Sequence, residues 1–334
     1  MDVETTNTRI REMSYAEAIL DAHRIAMELD SNVYVNGIGV DGPAGVFGTT
    51  NGLVDTFGPK RVFDTPIAEL ALTAMAAGAA NAGLRPVLVH QRFDFMMYAV
   101  DPIVNWMGLW HYISGGQAIM PVTIRAIVGK GWGQGPQHSK SLHSWFAHVP
   151  GIQVVMPSSP FDAKGLLLSS IFSNDPTIFI EGRSLFSMKE AVPEEPYFIE
   201  LGKAAVRRKG ADISLVAIGS MIPNALEAAD ELSRKGCSVE VIDLRTIAPL
   251  DMDTVLRSLK KTGRLVVADP GWQLFGASGE IIAGASEAMA TDLKAAPVRV
   301  TWPHSYVPTS GGIEPNYYPG TAEIVSACQN LVVS

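Results

Sequence analysis

An α/β protein of two parallel-sheet domains is the architecture this sequence predicts, and three observations carry the prediction. Short β-branched runs alternate with helix-period stretches twice over along 334 residues, the rhythm of parallel strands joined by crossover helices. A Pro- and charge-rich stretch between Lys189 and Gly210, AVPEEPYFIELG followed by RRKG, interrupts that rhythm once and suits a connection better than a core. The composition, 47% hydrophobic and 18% charged, with a mean hydropathy of +0.16, is too apolar for a disordered chain and rich enough to bury both faces of two sheets. The expected division is a first α/β domain over 1–190, a linker over 191–205 and a second, smaller α/β domain over 206–334.

The elements follow in order. The chain opens on a polar leader, MDVETTNTRIREM, without the apolar stretch of a signal peptide, and no run of about 20 apolar residues follows, so a cytoplasmic location is expected. Ser14 and Glu17 stand at capping-box spacing before Ile19, Ala22, Ile25, Ala26 and Leu29, which recur at helical intervals up to Asp30. Strands are expected at 33–35, 62–63, 87–89, 122–128, 154–155 and 178–180, with helices at 67–82, 95–113, 139–148 and 161–173. Beyond the linker, strands at 213–218, 239–242, 265–268 and 298–301 alternate with helices at 222–235, 251–260, 277–290 and 321–331. No short-period repeat or heptad run interrupts them.

Composition also limits function. A formal net charge of −8, from 26 Lys+Arg against 34 Asp+Glu, provides no basic footprint for nucleic acid or an anionic membrane. Two cysteines, Cys237 and Cys328, are too few for a disulfide framework or a Cys-rich zinc site, and no protein-held metal is expected.

Three stretches carry candidate chemistry. GIGVDGPAGVFGTTNG, Gly37 to Gly52, places glycines directly after a strand, where a backbone approaches a ligand or simply turns; it matches neither dinucleotide nor phosphate-loop spacing. VGKGWGQGPQHS, Val128 to Ser139, brings His138 to the sheet edge where α/β folds bind ligands, although a lone histidine is as easily a packed or solvated side chain. DTPIAE, Asp64 to Glu69, starts a helix whose continuation AlaAlaGlyAlaAla, residues 76–80, has almost no bulk. An acid in a first helical turn usually complements the helix dipole; in a helix otherwise built for burial it also suits a site.

At these residues the sequence resembles a known family over essentially its full length. GVFGTTNGL at 45–53, RVFDTPIAE at 61–69, GAANAGLRPV at 78–87, GPQHSKSLHSWFAHVPGIQVVMPSSPFDAKGLL at 135–167, VEVIDLRTIAPLD at 239–251 and KTGRLVVAD at 261–269 resemble the beta subunit of thiamine-diphosphate-dependent 2-oxo acid dehydrogenases, relatives of transketolase. The resemblance implies a transketolase-type pyrimidine-binding domain followed by a transketolase C-terminal-type domain, working beside an alpha subunit in an α2β2 heterotetramer. It also implies that Glu69 hydrogen-bonds N1′ of the cofactor's aminopyrimidine, promoting the tautomer that removes the thiazolium proton. His138 then faces the thiazolium and the substrate carbonyl, and Phe93 and Phe95 fall in the segment that contacts the pyrimidine ring, where plain core packing is the alternative.

Two departures shape the expected activity. The family's diphosphate–magnesium motif, GDG followed some 25–30 residues later by Asn, is not found, so this chain is expected to hold the aminopyrimidine half of thiamine diphosphate while the alpha subunit holds the diphosphate and magnesium. After the third strand the family usually has an acidic and then largely apolar segment, whereas this chain reads VLVHQRFDF. His90 and Arg92 thereby become substrate-binding candidates beside His138, with Arg92 meeting either a substrate anion or an acid such as Asp94. The expected function is decarboxylation of a 2-oxo acid with transfer of the acyl or aldehyde unit, a lipoyl acyltransferase being one acceptor. The alternatives are a split transketolase-like or acyloin-forming enzyme acting on ketose substrates or aldehydes without a lipoyl carrier, and a non-catalytic structural subunit.

Overall fold

The computed structural model describes residues 9–333. Residues 1–8 of the polar leader, on which part of the expectation of no signal peptide rests, lie outside the described residues.

Strand β1 (Ile10–Ser14) leads directly into α1 (Tyr15–Leu29). The Ser14 hydroxyl accepts from the Glu17 N–H at 3.2 Å while the Glu17 carboxylate accepts from the Ser14 N–H at 2.7 Å, so the capping box read from the sequence forms and fixes the helix start. There follow β2 (Val33–Gly37), α2 (Leu53–Phe57), β3 (Val62–Phe63), α3 (Glu69–Asn81), β4 (Arg85–His90) and α4 (Phe93–Met96). The single helix expected over 95–113 is divided: a 3-10 turn and a π-helical stretch, Pro102–Met107, precede α5 (Gly108–Ile113). Pro102 is the reason, since its ring donates no hydrogen bond and crowds the preceding turn.

Next come β5 (Thr123–Val128), α6 (His143–Ala147), β6 (Gln153–Val155), α7 (Pro160–Phe172), β7 (Thr177–Gly182) and β8 (Lys189–Pro193). The helix expected over 139–148 shrinks to α6, because the Lys140 N–H and ammonium both turn to the Asp94 carboxylate, at 3.4 and 3.0 Å, and hold the preceding residues out of helical geometry. The second half contains β9 (Ala205–Arg208), β10 (Ile213–Ala217), α8 (Ile222–Arg234), β11 (Val239–Asp243), β12 (Thr246–Ala248), α9 (Met252–Thr262), β13 (Leu265–Trp272), α10 (Ala277–Met289), β14 (Val298–Trp302) and α11 (Thr321–Val333).

Two large sheets result. The first has the order β12-β6-β7-β5-β4-β2-β3 and the second β14-β13-β10-β11-β9. Pairing is parallel within both, except that β12 runs antiparallel to β6 and β9 antiparallel to β11. These short antiparallel edges are departures from the all-parallel expectation, and β12, from the second half of the chain, completes the first sheet. β1 and β8 form a separate antiparallel ribbon.

The two sheets share one core. Ala76, Ala77 and Ala80 of α3, Ile124 and Ile178 of the first sheet, Val216 and Val267 of the second, and Val255 and Ile281 of α9 and α10 belong to a single buried cluster. Helices α1 and α7 cover the opposite face of the first sheet, and α8 and α11 that of the second. Buried polar contacts pin the junction: Asp162 accepts from Arg245 at 2.8 Å and pairs with Arg207, and His143 Nε2 lies 3.0 Å from Asp269 Oδ1, both side chains fully buried. Among the described residues no helix is long and apolar enough to cross a membrane.

Candidate active site

The loops that follow β2, β4, β5 and β7 meet at the carboxyl ends of those strands, the ligand edge of an open parallel sheet. The stretch after β2 is anchored from below. Arg125 on β5 and Glu181 on β7, both completely buried, pair at 2.5 and 2.8 Å, and the second guanidinium nitrogen donates to Thr49 Oγ1 at 2.9 Å. This ties down the turn carrying Phe47, whose backbone is left-handed with φ 52°.

The stretch after β5 is closed from above by the C-terminal segment. Glu314, 2% exposed, accepts from the Gly131 N–H at 2.8 Å and the Gly133 N–H at 2.6 Å, and from the Tyr318 hydroxyl at 3.1 Å. A Cβ at Gly135 would stand 2.3 Å from Thr309 Oγ1, so only glycine fits there. His138 ends this loop. Its Nδ1 lies 3.1 Å from the Gln134 carbonyl oxygen. A carbonyl only accepts, so Nδ1 carries the proton and Nε2 is left for another partner. The Phe95 ring meets the imidazole edge to face, with centroids 5.5 Å apart.

Phe93 and Phe95 are not brought together. Successive odd positions of the short helix α4 point to opposite sides, and Phe93 is fully buried against Phe146 at 5.8 Å. Arg92, 6% exposed, directs Nε and one terminal nitrogen to Gln134 Oε1 at 3.0 and 2.7 Å, and the other to the Gln91 carbonyl at 2.6 Å. Its direct partners are therefore neutral; Asp94 bonds Lys140 instead. Gln134 thus contacts both Arg92 and His138.

Glu69 occupies the first turn of α3, half-buried, and its carboxylate makes no hydrogen bond within the chain among the described residues. One turn further on, Thr73 faces His90, Oγ1 to Nε2 3.4 Å. Burial pushes His90 down to about 4, so the ring is neutral near pH 7 and lies beneath α3 rather than in the loop cluster of Arg92 and His138. Among the described residues no group of three or more His, Cys, Asp or Glu side chains is placed to hold a metal ion.

Gln134, Phe47, Arg183 and Glu314 escape the sequence reading. Phe47 lies within a stretch already marked by its glycines; the one hint for Glu314 is a single acid in the Gly- and Tyr-rich segment SGGIEPNYY.

Residues 11–189 match the family described as transketolase, pyrimidine binding domain, and residues 202–324 match transketolase, C-terminal domain. The chain is 40% identical over 335 residues to the acetoin:2,6-dichlorophenolindophenol oxidoreductase subunit beta of Bacillus subtilis, covering 96% of this chain and 98% of the relative. It is 41% identical over 324 residues to the pyruvate dehydrogenase E1 component subunit beta of the same organism, covering 96% and 99%. A solved structure described as "split gene transketolase, inactive beta4 tetramer" shares the fold, with a TM-score of 0.78 at 21% identity over 96% of this chain and 99% of that one. With both transketolase domains matched in order and such relatives aligned end to end, the chain belongs to the family of beta subunits of thiamine-diphosphate-dependent 2-oxo acid dehydrogenases.

Proposed function

We propose that this chain is the beta half of an α2β2 enzyme that decarboxylates a 2-oxo acid in an active site shared with an alpha subunit. The observation that carries this reading is the pairing of free ends: the Glu69 carboxylate and His138 Nε2, on two elements of the pyrimidine-binding domain, have no hydrogen-bond partner within the chain among the described residues. Such a donor set fits the aminopyrimidine half of thiamine diphosphate, whose ring nitrogen needs a carboxyl group with which to share a proton.

When bound, thiamine diphosphate supplies the electron sink for the bond to carbon dioxide. The chain supplies orientation and protons. Glu69 holds a proton at the pyrimidine ring nitrogen, Phe95 offers an aromatic face and fixes the His138 ring, and His138 stabilises charge or moves a proton at the substrate carbonyl. Arg92 binds substrate, and His90 supports α3 beneath Glu69. Magnesium and the diphosphate belong to the alpha subunit in this reading, and the domains divide as 1–190, 191–205 and 206–334.

Exposed apolar side chains support a partner. Ile67, just before α3, is 80% and Tyr112 86% exposed, with Leu70, Trp106, Leu109 and Ile113 also open on α3 and the helices beside it, the kind of exposed apolar surface that marks a protein interface. The acceptor in this reading is a lipoyl acyltransferase and the compartment the cytoplasm. The test is co-purification with a candidate alpha chain, followed by a screen of 2-oxo acids, acetoin and ketose phosphates with an artificial electron acceptor. Turnover of a 2-oxo acid supports the proposal; turnover of ketose phosphates alone sinks it.

A further inference from the structure

Two arginines stand at the ligand edge, and among the described residues neither makes an ion pair with a carboxylate. Strands β4 and β7 flank β5 in the first sheet, and Arg92 and Arg183 are among the first residues beyond their carboxyl ends. Both guanidiniums lie over the Phe47 ring, each 5.0 Å from its centroid, and Arg183 also lies 4.2 Å from the Trp132 centroid and 4.8 Å from that of Phe186. Phe47 and Trp132 belong to the two glycine-rich stretches, so the arginines sit where those stretches meet, with their rings 6.0 Å apart.

The charge is left open. Arg183 Nε is shut off from solvent and has no hydrogen-bond partner among the described residues. Among the described residues Arg92 donates only to Gln134 and the Gln91 carbonyl; Asp94, whose charge offsets part of the burial of Arg92, makes no hydrogen bond to it and is bonded through Oδ1 by Lys140. The contrast with Arg125, on the strand between them and closed by Glu181, shows how this sheet treats an arginine that has only a structural task. Burial together with the Arg92 charge draws Arg183 below its ordinary value, the direction expected where a compensating anion is missing. An aromatic ring shared by two guanidiniums orients both forks without neutralising either, the arrangement that suits bidentate capture of a carboxylate or phosphoryl group.

We propose that Arg92 and Arg183 together receive a second, non-reacting anionic group on the substrate, so that the 2-oxo acid taken by this enzyme carries an additional carboxylate or a phosphoryl group. This rests on the 2-oxo acid reading above. The carboxylate that leaves as carbon dioxide is a poor match for the pair, because its charge must disperse in the transition state and a tight double guanidinium would stabilise the ground state instead. Gln134 joins the two functions: its side chain holds Arg92 and its carbonyl holds His138, so an anion on the arginines fixes the far end of a substrate whose carbonyl faces the imidazole.

The test uses the enzyme assembled from this chain and its alpha subunit, with 2-oxopentanoate, 2-oxopentanedioate and phosphonopyruvate as substrates. The first two differ only in the terminal carboxylate, and the third separates a phosphoryl from a carboxylate preference. The wild type should favour one of the dianionic substrates. Arg183→Gln should lower the ratio of kcat/KM for that substrate over 2-oxopentanoate by about 10–100-fold, mainly through KM, the range for losing a hydrogen-bonded charge contact. Arg183→Lys should restore part of the ratio.

A wild-type preference for 2-oxopentanoate, or a ratio unmoved by Arg183→Gln, overturns the proposal. Equal loss on all substrates with weaker thiamine diphosphate binding also overturns it and assigns the pair to the cofactor. If no 2-oxo acid turns over, the functional reading itself fails, and malonate titration followed by Trp132 fluorescence in the full chain decides the arginines. Binding weakened at least about 10-fold by Arg183→Gln supports an anion receptor, and unchanged binding rules it out.

Discussion

Glu314 and Gly133 are 181 residues apart in the chain, yet the glycine N–H and the carboxylate meet at 2.6 Å. The same carboxylate takes the Gly131 N–H, so the C-terminal segment determines the shape of the loop that presents His138. Glu314→Gln keeps the volume but turns an N–H pair toward one of the glycine donors, and leaving a buried donor unpaired costs about 1–3 kcal/mol. Amide exchange across 128–139 should accelerate by about 10–100-fold, with kcat falling more than thiamine diphosphate affinity in the assembled enzyme. Exchange in that peptide matching wild type would show that the loop holds its shape without Glu314.

Among the described residues the Glu69 carboxylate has no hydrogen-bond partner, so its removal should leave the fold nearly untouched. A first-turn carboxylate contributes about 0.3–1 kcal/mol through the helix dipole, and Glu69→Gln should lose no more than that. Turnover of the assembled enzyme should nevertheless drop by at least about 100-fold, because an amide shares no proton with the pyrimidine ring. Hydrogen–deuterium exchange at the thiazolium carbon measures the affected step directly. A wild-type exchange rate in the mutant would remove Glu69 from proton transfer.

How far the sequence could be read depended on whether the deciding interaction was local. The Ser14–Glu17 capping box and the β-branched runs of both sheets are signals within a few residues, and they appear where expected. Edge strand β12 is three residues long, and its partner β6 lies in the other half of the chain, so no local pattern announces it. The site divides in the same way. His138 and Glu69 stand in recognisable motifs, but the loop that presents His138 takes its shape from Glu314, which meets that motif only after folding. Phe93 and Phe95 look alike in sequence and are separated only by the turn of α4, which sends one ring into the core and the other to His138.

His90 provides a pH test of the buried layer under α3. Its value falls from 6.5 to about 4 because burial disfavours the imidazolium. The unfolded chain therefore binds the proton at a pH where the folded chain does not. Stability is complete above the unfolded value and declines as pH falls from 6.5 toward 4. Between pH 7 and 5 this one group should remove about 2 kcal/mol. In His90→Gln the denaturant midpoint should change less over that interval than in wild type by the corresponding amount. Identical pH dependence in the two proteins would mean that His90 is not held neutral by the fold.

His138 should affect a different stage of turnover from Glu69. Its Nδ1 is committed to the Gln134 carbonyl at 3.1 Å, and Phe95 sets the ring plane, so only Nε2 is presented to a ligand. In the proposed reading that nitrogen serves the substrate carbonyl rather than the pyrimidine. His138→Ala should therefore exchange the thiazolium proton within about threefold of wild type while product formation slows by about 100-fold or more. His138→Asn, which preserves a polar group near the same place but moves no proton, should recover little of that rate. Phe95→Leu removes the edge-to-face contact and leaves the imidazole free to tilt, so it should lower kcat in the same direction by a smaller factor without changing the exchange step. If His138→Ala slows proton exchange and product formation equally, the histidine holds the loop together, and the charge at the substrate carbonyl is stabilised by some other group.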